Sequence, residues 1–236
     1  HQALTALTTG VSNTAIGYQA MKEHQTGGSN TVIGHGAMND SNNHAGEHNV
    51  FVGTTSGAGG WSGAASSNTA IGSFSFGGGA KTAAAVDNVA VGRDSLYALT
   101  SGASNTVVGK SAGDAITSGA NNVVLGKSAL STATTALNNV IIGKGAGEDI
   151  SAAEALSGTI AIGFEAFKGS GSTSTAALGT VAIGQEALKV LTTGARNTAI
   201  GYLAGSSITT TPGNTLIGWK AGENSTASYN VVIGDN

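Results

Sequence analysis

The chain has 236 residues, 38 of them Gly, one Pro and no Cys, with 10 basic and 13 acidic side chains giving a net charge of −3. Gly, Ala, Thr, Ser and Asn fill 147 positions, a mixture too poor in Leu, Glu and Lys for a mostly helical protein. The lack of Cys excludes a disulfide framework and thiolate metal sites, no apolar run approaches the roughly 18 to 20 residues of a membrane span, and a small net negative charge gives no pull toward nucleic acid.

One five-residue phrase recurs in chain order from end to end: Asn, then Thr or Val, a small or aliphatic residue, a large aliphatic residue, and Gly. It opens at Asn13, Asn30, Asn49, Asn68, Asn88, Asn105, Asn122, Asn139, Thr159, Thr180, Asn197, Asn214 and Asn230, so Thr stands in for Asn twice. Each phrase is predicted as a short strand closed by a Gly corner. The closing glycines run from Gly17 to Gly234 at spacings of 16 to 21 residues. A small residue such as Ala20, Ala37, Ser95 or Ala112 follows most corners. Next comes a bulky apolar residue, as at Met21, Phe76 and Leu188, or Gly. Each repeat therefore reads as strand, corner, short second segment and polar turn. Helical repeats need about 33 or more residues and propeller blades about 40 to 50, which leaves a parallel β-solenoid of about thirteen turns.

Alternation within the phrase sets its second and fourth positions on one face and its third on the other. The fourth column (Ile16, Ile33, Val52, Ile71, Val91, Val108 and onward) is large and aliphatic in every turn and is expected to pack a core. The third column, from Ala15 and Val32 through Phe51 to Val232, is apolar throughout as well. A strand apolar on both faces is buried on both. One face is expected to line the coil and the other to be covered by further copies of the chain, and the alternation leaves open which column serves which interior. Stacked Asn at one corner is expected to form an amide ladder through Asn13, Asn30, Asn49, Asn68, Asn88, Asn105, Asn122, Asn139, Asn197, Asn214 and Asn230. The Gly column supplies positive φ at the other.

The phrases Thr159 to Ala166 and Thr180 to Ala187 resemble the head repeats of YadA-like trimeric autotransporter adhesins. The Asn-Thr-Ala-Ile-Gly form at Asn13 to Gly17 and Asn197 to Gly201 is similar to repeats in bacteriophage tail fibres. The resemblance covers essentially the whole chain, although the autotransporter repeats are shorter, nearer fourteen residues. It implies a left-handed parallel β-roll, three chains around one axis, and attachment to surfaces, outside the cell, on a bacterium or a virion tail. The chain begins and ends in mid-repeat, without the polar caps that protect solenoid ends. Residues 1–236 are accordingly expected to be one solenoid domain cut from a longer fibre.

The residue after each corner Gly varies as a solvent-facing column would. Arg93, Lys110, Lys127 and Lys144 give four successive cations suited to an anionic glycan, unless Asp94, Asp114, Glu148 or Asp149 neutralises them. Trp61, in the insertion 57–67, and Tyr202 with Trp219 are the candidate sugar-stacking aromatics. His35, His44 and His48 lie close in sequence, but in a polar loop that gives their spacing no metal-binding geometry. Glu165 and Glu186 take equivalent positions in successive turns, which suggests paired carboxylates at a glycosidase-like separation. A surface Glu ladder offset by Lys168 and Lys189 accounts for them equally. The sequence thus points to a non-catalytic, homotrimeric fibre or adhesin segment with no cofactor or metal, no nucleic-acid partner and no membrane insertion, whose partner is a cell-surface glycan or other host receptor. The alternatives are a single-chain solenoid binding a periodic surface such as ice through Thr14, Thr31, Thr69, Thr106, Thr198 and Thr215, or a glycan-cleaving fibre.

Overall fold

The computed structural model describes residues 2–42, 44–150, 156–170 and 177–235. It is all-β, a parallel β-solenoid whose thirteen strands bound about 12 turns. The chain falls into two compact units, His1–Ala120 and Asn121–Asn236. The first holds β1 (Thr14–Ile16), β2 (Thr31–Ile33), β3 (Val50–Val52), β4 (Thr69–Ile71), β5 (Val89–Val91) and β6 (Thr106–Val108). The second holds β7 (Val123–Leu125), β8 (Val140–Ile142), β9 (Ile160–Ile162), β10 (Val181–Ile183), β11 (Thr198–Ile200), β12 (Thr215–Ile217) and β13 (Val231–Ile233). Within each unit every strand pairs in parallel with the next along the chain. The repeated phrase stays in register, so that Thr31, Val32 and Ile33 face Val50, Phe51 and Val52.

The pairing resolves the two apolar columns. The third column lines the inside of the coil, with Val32, Phe51, Val107, Val124 and Ile141 all fully buried. The fourth column, expected to pack a core, packs none within the chain: it points outward, and Ile16 and Ile71 are 58% and 42% exposed. The second column shares that outward face.

Two corners bound each strand. On the near side the Asn side chains stack. The main-chain and side-chain N–H groups of Asn30 both donate to Asn13 Oδ1 at 3.0 Å, and Asn49 does the same to Asn30. In the second unit Asn139 and Asn214 repeat the pattern on Asn122 and Asn197. The ladder is interrupted where Thr replaces Asn. Thr159 N–H still donates to Asn139 Oδ1, but the buried Thr159 Oγ1 finds no partner, which is costly for a polar atom out of water. On the far side stacked corner glycines such as Gly34 bring one coil's main chain against the next.

The second segment is a run of turns rather than a strand, built on left-handed residues two and four positions past the corner Gly. Met21, Met38, Phe76, Leu96, Leu130, Phe167 and Leu188 all have φ between 46° and 54°. All seven are fully buried. Left-handed backbone costs an L-residue roughly 1 to 2 kcal/mol, and burying a large apolar side chain returns about 1.5 to 3 kcal/mol, so the core position tolerates the strain. Where coils lengthen to 19 and 20 residues, the wider interior is filled by Phe51, Trp61 and Phe76.

Candidate attachment surface

The residue after each corner Gly leaves the coil as the main chain turns, and in most coils it is exposed. In the first unit this column begins with Tyr18 stacked on His35, ring centroids 5.2 Å apart, and ends with Arg93 and Lys110. Arg93 is neutralised by its chain neighbour, Nε lying 2.9 Å from Asp94 Oδ2. Lys110 pairs with no carboxylate among the described residues. Asp114 does not reach it: burial, with repulsion from Asp94, pushes the Asp114 carboxyl up to about 6.

In the second unit the column runs Lys127, Lys144, Phe164, Gln185, Tyr202 and Trp219, all exposed. Lys127 and Lys144 have no carboxylate partner among the described residues, because Glu148 and Asp149 turn to Lys168, at 3.8 and 3.7 Å. Lys144 instead lies 5.3 Å from the centre of the Phe164 ring. Tyr202 and Trp219 are near-parallel, 6.4 Å between centroids, with Lys220 Nζ 4.9 Å from the Trp219 ring. Each unit therefore presents cations and aromatic rings along one corner, a surface able to meet carboxylates or phosphates and the apolar faces of sugar rings without a pocket.

Trp61 departs from its expected place. It is 1% exposed, its ring meets Phe51 edge-on at 6.2 Å, and its indole N–H donates to Gly57 O at 3.1 Å. It is a core residue and offers no face to a ligand. The insertion that carries it enlarges the coil interior, and the indole fills that space. Exposed Phe74 and Tyr97, in the turns beyond the corners, escaped sequence reading because nothing in the repeat marks their positions as outward.

Glu165 and Glu186 are held together by Lys189, whose Nζ lies 2.7 Å from the first and 3.2 Å from the second, while Lys168 adds a contact to Glu165 at 3.7 Å. The hydrogen bond from Lys189 holds the Glu165 carboxyl below its ordinary range, which suits an ion pair rather than the protonated acid that glycoside cleavage needs. His35 stacks on Tyr18, and among the described residues no three His, Asp or Glu side chains are placed to share a metal ion. Near the end of the second unit a cleft is lined only by Ser, Thr and Asn, including Ser207, Thr211 and Thr226, with no charge to fix a ligand. Among the described residues no helix is long and apolar enough to cross a membrane.

No protein-family model matches this sequence, and no curated protein or solved structure matches it either.

Proposed function

We propose that this chain is a structural segment of an extracellular attachment fibre, a left-handed β-roll assembled as a homotrimer that displays a surface for host or cell-surface glycans. The outward aliphatic row carries this reading. In the first unit Ile16, Ile33, Val52, Ile71, Val91 and Val108 line one face, and in the second Leu125, Ile142, Ile162, Ile183, Ile200, Ile217 and Ile233 do so. A continuous apolar face of this kind is covered in a stable assembly. A second copy offers the same row in the same register, and three copies around an axis close the assembly without a free edge. The corner cations and aromatics are the features suited to touch an anionic or sugar surface. The resemblance to autotransporter heads and tail fibres supports the same role, on a bacterial surface or a virion.

Attachment is tested by binding the chain to glycan arrays and to cells at increasing salt. Lys110→Gln, Lys127→Gln and Lys144→Gln together are expected to weaken binding severalfold and to flatten its salt dependence, since screening acts on exposed charges. No adhesion by the intact assembly would make the segment a passive shaft.

A second reading draws on the outward Thr residues of β1, β2, β4, β6, β11 and β12, which share the face of the aliphatic row. Such a face suits a periodic solid such as ice if the chain works alone. A folded monomer with thermal hysteresis would favour it.

A further inference from the structure

In the first unit one inner column carries basic residues at positions where other coils carry Leu or Ile. Main-chain bonds from Thr8 N to Gln25 O, from Thr82 N to Thr100 O and from Thr100 N to Thr117 O align the residues just before them. His24 thus sits over the position of Leu7, and Lys81 over those of Leu99 and Ile116. In the second unit the bond from Thr192 N to Thr209 O aligns Leu191 with Ile208 in the same way, both buried and aliphatic.

Lys81 is fully buried. Its amine donates to Gly79 O and lies 4.8 Å from the centre of the Phe76 ring, which stacks on Phe51 at 5.9 Å, and Phe51 in turn meets Trp61. Ser62 N–H donates to Lys81 O at 2.8 Å, joining the Trp61 segment to the Lys81 segment. The flanking coil on one side, residues 54–71, carries no ionisable side chain, that on the other carries Arg93, Asp94 and Tyr97, and Asp87 lies in the same coil. Asp40, His44, Glu47 and His48 stand one coil further away, beyond the Trp61 segment. Among the described residues no carboxylate pairs with Lys81. An amine held this way has lost its water and gained one backbone acceptor and one aromatic face.

We propose that the coils around Lys81 form a proton-operated latch over Trp61: the amine takes up a proton when these coils part, so falling pH favours the open form, in which the indole meets solvent. Desolvation moves the Lys81 pKa from 10.5 down to about 7 in the closed form. The open form, hydrated, stays protonated up to its ordinary range. Between the two values opening takes up a proton, so the opening constant rises about tenfold for each unit the pH falls, and it levels off below about 7, where both forms are charged. His24 adds a second step in its own coil. Its ring nitrogens meet Gly27 O at 3.0 Å and Ser41 Oγ at 3.3 Å, and burial holds its pKa below the ordinary His value, so acid charges the open form before the closed one. The latch stands apart from the attachment role and does not depend on it.

Hydrogen exchange of the full chain between pH 6 and pH 9, corrected for the chemical exchange rate, tests the latch. Segments 57–66 and 77–85 are expected to open about 50-fold more often at pH 7 than at pH 9, and Lys81→Met to remove that slope while segment 198–217 responds to neither. An opening constant independent of pH in the native chain, or a slope that survives Lys81→Met, would overturn the proposal. Should Lys81→Met not fold, acrylamide quenching of Trp61 in a Trp219→Phe chain decides. Quenching that grows from pH 9 to pH 7 supports the latch, and quenching flat across that range overturns it.

Discussion

At Gly34 the main chain turns with φ of 143°, and a Cβ built there would lie 2.2 Å from the carbonyl oxygen of Gly53 in the next coil. Both the backbone angle and the close approach demand Gly. Gly34→Ala is therefore expected to destabilise the chain by about 3 kcal/mol, measured as a lower urea midpoint against the native protein. Glycine and Asn are legible in sequence for this reason: each answers a backbone demand that few other residues meet. Left-handed Met21 or Leu188 is not legible, because the strain at such a residue is offset by burial that only the folded coil reveals. Lys81 and His24 are equally hidden, since a basic residue outside the repeated phrase reads as solvated until the coils are aligned.

The coil is the element on which the pattern acts, and its period was read from the spacing of the closing glycines. The face assignment was not, because the second, third and fourth positions are apolar or β-branched alike. What separates them is size. The third column, packed inside the coil, ranges from Ala in six of the thirteen strands to Phe51. The outward fourth column is never Ala. The faces predict opposite outcomes for neighbouring substitutions. Val107→Asp puts a carboxylate into a sealed interior and is expected to cost about 3 to 5 kcal/mol, enough to unfold the coils around it. Val108→Asp, on a residue 38% exposed, is expected to leave the strand signal in far-UV circular dichroism intact and to act on association instead. If both variants lose the β signal equally, the outward assignment of the fourth column is wrong. At this same scale, Lys168 and Lys189 set among Glu148, Asp149, Glu165 and Glu186 hold neighbouring turns by charge, a ladder that Glu and Lys at matching positions made readable.

For the whole molecule, the solenoid was readable from thirteen copies of one phrase, and the corner column from the variety of its residues. Trp61 was misplaced because an insertion in a repeat has two destinations, an outer loop or a wider core, and composition does not distinguish them. The outward aliphatic row leaves each chain with a face that water covers poorly, and a homotrimer accounts for it with the fewest further parts. Sedimentation equilibrium of the native chain at micromolar concentration tests this directly. The predicted particle has three times the 22.8 kDa chain mass, falling to single folded chains when Val52, Ile71 and Val91 are all changed to Asp. A fully folded native chain sedimenting at 22.8 kDa would contradict it.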